Sequence, residues 1–245
     1  MIIIKNDKEI DLMRIAGRIV AETLLLVEKE VRPGITTAEL DRIAEEFITK
    51  HGAKPSFKGL YGFPASLCIS VNEQVVHGIP GGYVLKEGDI ISVDCGANIN
   101  GFHGDAARTF AVGNISEEAK RLIKVTEESF FKGLEFAKVG NKLTDISHEI
   151  QRYVEVSGFS VVREFVGHGI GKSVHEDPEV PNFGRPGRGP KLVAGMALAI
   201  EPMVNMGTYR VATLGDDWTV VSADKSLSAH YENTVVILPD GPEIL

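Results

Sequence analysis

Apolar residues recur at three- and four-residue spacing from about residue 7 to 31: Ile10, Met13, Gly17, Val20, Leu24 and Val27, with charges between them. One buried helix face requires that spacing, so the segment predicts a first helix, ended by Pro33-Gly34. Thr36 followed by Glu39 is a capping-box pattern that opens a second helix. Leu40, Ile43, Ala44, Phe47 and Ile48 form its apolar stripe, and Gly52 supplies a left-handed stop. The arrangement then returns. Ser116 caps a helix with Leu122, Ile123, Phe130 and Leu134 on its buried side, Gly140 breaks it, and a further helix runs to Gly158. A shift of 106 residues, from Gly34 to Gly140, also aligns Leu40 with Ile146, Ile48 with Val154 and Gly52 with Gly158. Breakers matched at both ends favour a duplicated helix pair over chance resemblance of two amphipathic helices.

The intervening regions read as strands. Residues 89–97 and 102–112 flank Asn98-Ile99-Asn100-Gly101, a hairpin composition. Residues 160–166, 196–204 and 231–238 predict three more strands, with Pro202 better suited to an edge or strand end than to a central position. Residues 177–191, rich in Pro, Gly and Arg, predict a surface loop. No low-complexity linker divides the chain. The expectation is one catalytic domain, 1–245, whose halves, roughly 1–112 and 113–245, share a sheet.

Composition narrows the function classes. With 43% hydrophobic and 24% charged residues in 245, the chain is globular rather than disordered. A formal net charge of −8 argues against a broad electrostatic grip on DNA or RNA. No apolar run reaches the roughly 18 residues of a membrane span, and the apolar start ends at Ile4, too short for a signal peptide. Two cysteines, Cys68 and Cys95, cannot make a disulfide framework, so a reduced, cytoplasmic setting is expected.

The acids carry the candidate chemistry. If Ile99-Asn100 is the two-residue hairpin loop, Asp94 lies directly opposite Asp105, with β-carbons roughly 4.5–5.5 Å apart. Like charges there destabilise a hairpin unless something positive sits between them. Asp94 also follows Ile90, Ile91 and Val93, a buried setting in which a carboxylate must be paired, protonated or bound to metal. Glu201 ends one apolar strand and Glu232 begins another. Either alone is more often a solvated strand-end charge, but four such acids on one sheet shift the balance. His168 lies in Val166-Gly-His-Gly-Ile-Gly171, where small neighbours allow close approach. Four carboxylates and one imidazole make an oxygen-rich set whose charge two divalent ions neutralise, with Mn, Fe, Co or Zn as candidates.

Other patterns fail. Gly171-Lys172-Ser173 matches the end of a phosphate loop, but the required upstream glycine is Val166. His148-Glu149 and His175-Glu176 lack a second histidine at zincin spacing, and there is no nucleophile elbow. His77 and His175 could polarise a substrate carbonyl, although each alone is more often structural. His103 and His230 precede Asp105 and Glu232 by two residues, share their strand faces, and stay open as ligands.

The chain resembles type I methionine aminopeptidases of the short bacterial form along almost its whole length. The carrying segments are CISVNEQVVHGIP (68–80), SVDCGANINGFHGDAARTF (92–110), GHGIGKSVHEDP (167–178), IEPMVN (200–205) and SAHYENTVVI (228–237). The resemblance implies an α+β "pita-bread" fold, two pseudo-symmetric halves with a curved antiparallel sheet covered by helices. It implies that Asp94 chelates a first metal, that His168 and Glu201 bind a second, and that Asp105 and Glu232 bridge them. His77 and His175 would contact the scissile amide and its carbonyl oxygen, and His103 and His230 would not be ligands. Phe57, Phe63, Cys68 and Trp218 would form the methionine pocket. Two departures stand out: Gly96 where some relatives carry Thr, with an expected effect on metal affinity, and Val174 where some carry Phe.

The implied activity is removal of the initiator methionine from nascent polypeptides whose second residue is small. A hydroxide shared by two divalent ions would attack the first peptide carbonyl, and Glu201 would relay the proton. Nascent N-termini are the expected partners, with transient ribosome association, no DNA, no membrane and a monomeric state. The alternatives are a prolidase or Xaa-Pro aminopeptidase on the same scaffold, and a non-catalytic binding protein of this fold. The former typically add an N-terminal domain, and the latter lose metal ligands.

Overall fold

A computed structural model describes residues 1–245. Its four helices form where stripe and cap dictate. α1 (Asp7–Glu30) opens on Asn6, whose side chain accepts from the Glu9 N–H while Glu9 accepts from the Asn6 N–H. α2 (Thr37–Lys50) has half of the expected box: Thr36 accepts from the Glu39 N–H at 3.2 Å, and Glu39 does not return the bond. α3 (Glu117–Leu134) is capped by Ser116, and α4 (Leu143–Val156) follows. Gly34 and Gly140, at φ of 94° and 100°, are both left-handed, as are Gly52 and Gly158 at 75° and 83°. The breakers paired in sequence are thus paired in conformation, one that L side chains disfavour.

Nine strands form the large antiparallel sheet. They are β1 (Lys54–Pro55), β2 (Leu67–Val71), β3 (Ile90–Ile99), β4 (Phe102–Ala111), β5 (Gly167–Gly169), β6 (Glu176–Val180), β7 (Ala197–Ile200), β8 (Glu232–Leu238) and β9 (Gly241–Ile244). Their order is β1-β3-β4-β8-β7-β5-β6, with β2 also on β3 and β9 also on β8. Two three-stranded sheets flank it; one joins Met203–Asn205 to Ser228–His230 and Ser160–Val161. No helix is long and apolar enough to cross a membrane.

Helices cover one face of the large sheet, each pair with its own core. Ile91, Val93, Cys95, Ala97 and Ala106 pack with Val20, Leu24, Leu40 and Ile48 of α1 and α2. Leu198, Ile200, Val235 and Ile237 pack with Leu122, Phe130, Ile146 and Ile150 of α3 and α4. Strand alternation therefore sends Asp94, Asp105, Glu201 and Glu232 to the opposite face.

The predicted hairpin register needs correction. The loop is Asn100-Gly101, so Ile99 pairs with Phe102 and Asp94 faces Ala107, not Asp105. Both loop residues are left-handed, at φ of 54° and 80°, as a type I′ turn demands. The alternative loop would have forced a β-branched isoleucine into that region. Asp94 and Asp105 are instead diagonal neighbours on one face. Three further strand expectations change. Residues 160–166 contribute only Ser160–Val161 to a strand, and the 196–204 strand breaks at Glu201-Pro202, where the chain changes sheets. The predicted loop at 177–191 begins inside β6.

The halves meet where β4 and β8 pair through Ala107 with Glu232 and Ala106 with Asn233. Beyond those rungs, side chains take over. Thr109 Oγ1 donates to the His230 carbonyl and accepts from the His230 N–H, each at 2.9 Å. Thr234 Oγ1 does the same for Asp105, again at 2.9 Å. α1 rests on this seam through glycines, since a β-carbon on Gly104 would lie 2.7 Å from the Gly17 nitrogen. The expected outcome for Gly104→Ala is a loss of about 1–3 kcal/mol from overpacking. It is read as a lower urea midpoint at unchanged slope.

Candidate metal centre

Sheet register assembles the site. Asp94 on β3 lies opposite Ala107 on β4, which lies opposite Glu232 on β8. One step along, Asp105 is tied through its main chain to Thr234, Thr234 faces Ala199 on β7, and Ala199 faces His168 on β5. Glu201 follows Ile200, the partner of Asn233, and so emerges beside Glu232. His168 Nε2 lies 3.6 Å from Glu201 Oε1 and 3.9 Å from Asp105 Oδ2. Donor atoms of Asp105, His168 and Glu232 lie within 4.8 Å of one another, as do those of Glu201, His230 and Glu232.

Burial dominates the electrostatics. It pushes the Asp94 carboxyl up from the ordinary aspartate range to about 7. It drives Asp105, Glu201 and Glu232 well above theirs, with the neighbouring negative charges adding to the effect. The same desolvation pushes His168 down to about 4 and His230 to about 3, so both imidazoles are neutral at pH 7. The His168 Nδ1–H donates to the Gly169 carbonyl at 2.9 Å, which fixes the tautomer and leaves the Nε2 lone pair facing the acids.

The donor set fits a divalent cation. Asp94 Oδ1, Asp105 Oδ1, Glu232 Oε1 and His230 Nε2 are buried without a hydrogen-bond partner. The Arg108 guanidinium, a charge neighbour of Glu232, donates to the main-chain carbonyls of Ala107 and Glu232 and to Asn233 Oδ1, not to a carboxylate of the cluster. Buried anionic oxygens left this way need protons or metal. Mixed carboxylate and imidazole donors suit Mn, Fe, Co or Zn, which leaves identity and number open.

Asp94, Asp105, His168, Glu201 and Glu232 line one cavity of about 710 Å³. His77, His175, Phe57, Phe63, Cys68 and Trp218 line the same cavity. Phe57, Phe63, Cys68 and Val174 make one apolar cluster with Trp218 against it. A β-carbon on Gly96 would sit 2.8 Å from Ser56 Cβ and 2.9 Å from Phe57 Cε1, so the Phe57 ring occupies the room that a larger residue would need. His77 sits at φ 59°, a left-handed conformation costly for a non-glycine residue and common at working sites. Its ring meets Phe165 and Trp218 edge-on at 5.5 and 6.5 Å. His175 lies edge-on to His168 at 4.5 Å, under a stacked Tyr61 at 5.9 Å. Burial lowers the pKa of both His77 and His175.

Of the two histidines left open by strand spacing, His103 stays outside the cluster, hydrogen-bonded through Nδ1 to Ser56 Oγ at 2.8 Å. His230 is brought into it, 2% exposed. Sequence reasoning missed Tyr61 and Phe165 as cavity walls. Gly59 and Gly62, both left-handed around Tyr61, were the available signal for a tight turn there.

The model of "Metallopeptidase family M24" matches residues 11–239. A methionine aminopeptidase of Clostridium perfringens is 78% identical over all of this chain and 98% of its own length. One from Clostridium acetobutylicum is 70% identical with the same coverage. The crystal structure of methionine aminopeptidase from Rickettsia prowazekii superposes with a TM-score of 0.98 at 43% identity, covering 100% of this chain and 99% of that one. These matches favour neither the proline-directed nor the non-catalytic alternative. The chain belongs to metallopeptidase family M24 and, within it, groups with the methionine aminopeptidases.

Proposed function

We propose that this chain removes N-terminal methionine from nascent polypeptides whose second residue is small, using two divalent ions. The observation that carries the reading is the buried group of partnerless carboxyl oxygens beside an apolar pocket. Asp94, Asp105, His168, Glu201 and Glu232 would hold the ions, with Asp105 and Glu232 shared between them. When bound, such ions make water nucleophilic near neutral pH and polarise a carbonyl.

The chain's own groups do the rest. The methionine side chain, unbranched and polarisable, fills the pocket of Phe57, Phe63, Cys68 and Trp218. His175 hydrogen-bonds the scissile carbonyl oxygen as negative charge develops there. His77, held by its left-handed backbone, orients the amide and the following residue. Glu201 takes the proton from the attacking water and delivers it to the leaving amine. Free buried Cys68 and Cys95 support a reducing, cytoplasmic setting, where nascent and ribosome-borne chains are met.

Methionine release from Met-Ala-Ser is expected after divalent-metal loading, with negligible turnover of Ala-Pro-Ala. Glu201→Gln is expected to lower kcat by about 10²–10⁴-fold. His175→Ala should cost about 10²–10³-fold. Full activity in either variant would remove that assignment.

Stability should follow the acids. A carboxyl whose folded pKa is raised contributes stability at low pH that is lost as pH rises through the folded value. For Asp94 that window runs from 3.8 to about 7, and the other three acids, raised well above their ordinary values by burial, act in the same direction. His168 and His230, with lowered values, oppose this trend only below 6.5. Metal-stripped protein is therefore expected to show a lower urea midpoint at pH 9 than at pH 7. Saturating Mn²⁺ should reverse that order, because metal binding tightens as ligands deprotonate. An unchanged slope with and without the ion would contradict the reading.

A further inference from the structure

His230 is the one member of the buried cluster with no role in the reading above. Its side chain is 2% exposed, and its Nε2 has no hydrogen-bond partner. That nitrogen lies 3.7 Å from Glu201 Oε2 and 3.9 Å from Glu232 Oε2. Both separations are too long for hydrogen bonds. They match the pattern on the other side of Glu201, where His168 Nε2 lies 3.6 Å from Glu201 Oε1 and 3.9 Å from Asp105 Oδ2. Two imidazoles thus bracket one carboxylate, one at each oxygen.

We propose that His230 Nε2 is a direct ligand of a divalent cation held between Glu201 and Glu232. Metal–nitrogen and metal–oxygen bonds of about 2.0–2.2 Å span donor separations up to about 4 Å when the angle at the ion is open. The observed distances lie inside that span. Without a cation the arrangement leaves a buried imidazole nitrogen with no partner beside two carboxylate oxygens, which is costly. The main chain at His230 is also clamped, since Thr109 Oγ1 bonds both its N–H and its carbonyl at 2.9 Å. The ring therefore stands on a fixed support, as a metal ligand should. Arg108, next along the cluster, is committed to main-chain carbonyls and Asn233 and stacks on Tyr231, so it does not satisfy the imidazole.

The inference rests on the metal-dependent reading, and the test separates the two. Wild-type protein labelled with ¹⁵N-histidine is loaded with Mn²⁺, and electron spin-echo modulation counts the coupled imidazoles. Coupling from two imidazoles, those of His168 and His230, is expected; coupling from one overturns the proposal. Calorimetric Co²⁺ titration of metal-stripped His230→Gln, with folding verified by circular dichroism, gives a second readout. One of its Co²⁺ affinities should fall by about tenfold or more, with a shifted visible spectrum. Unchanged affinities and spectrum overturn the proposal and leave the metallopeptidase reading intact. Failure of the wild-type protein to bind Co²⁺ overturns both.

Discussion

Four carboxyl groups held together out of water resist ionising, and the rest of the structure is arranged around that constraint. Asp94, Asp105 and Glu232 stand on three paired strands and Glu201 directly follows a fourth, so ladder register sets their spacing more rigidly than a free loop could. The helices bury the opposite face of those strands in two apolar cores. The core thus holds the acids in place by packing they take no part in. A bound cation would offset the cost of ionising them, for which their fixed placement preorganises the site.

The histidines divide by what fixes them. His168 has its tautomer set by the Gly169 carbonyl. His77 is aimed by a strained backbone, and His175 is held between the His168 edge and the Tyr61 face. Around them Phe57, Phe63, Cys68 and Trp218 exclude water from one wall of the cavity, so each polar contact inside it gains weight. A floor of acids and a wall of apolar rings meet in one cavity.

Much of this was legible along the chain. Helix stripes, the Ser116 and Thr36 caps and the matched glycine breakers announce four helices, and apolar strands ending in acids announce the cluster. The hairpin register was readable too, since Asn-Gly is the pair that tolerates two left-handed residues, and reading the loop one residue early moved Asp105 to the wrong partner. Other features were not readable locally. β6 is polar and proline-containing, so only its pairing with β5 makes it a strand. The break after Glu201 depends on two sheets competing for one segment, which periodicity does not record. His230 was ambiguous because strand parity places a residue on a face without saying how close it comes to its neighbours.

The reciprocal threonine clasps at the centre of the sheet carry one more consequence. Thr109 serves the second half and Thr234 serves the first, each in the same manner and each at the margin of a two-rung ladder. The contact is self-complementary, like the isologous face of a twofold dimer, although a single polypeptide supplies both sides. Severed from its counterpart, either portion would bear a naked strand margin and an idle hydroxyl, the features that recruit a second molecule. Covalent linkage of the portions therefore keeps this margin internally occupied.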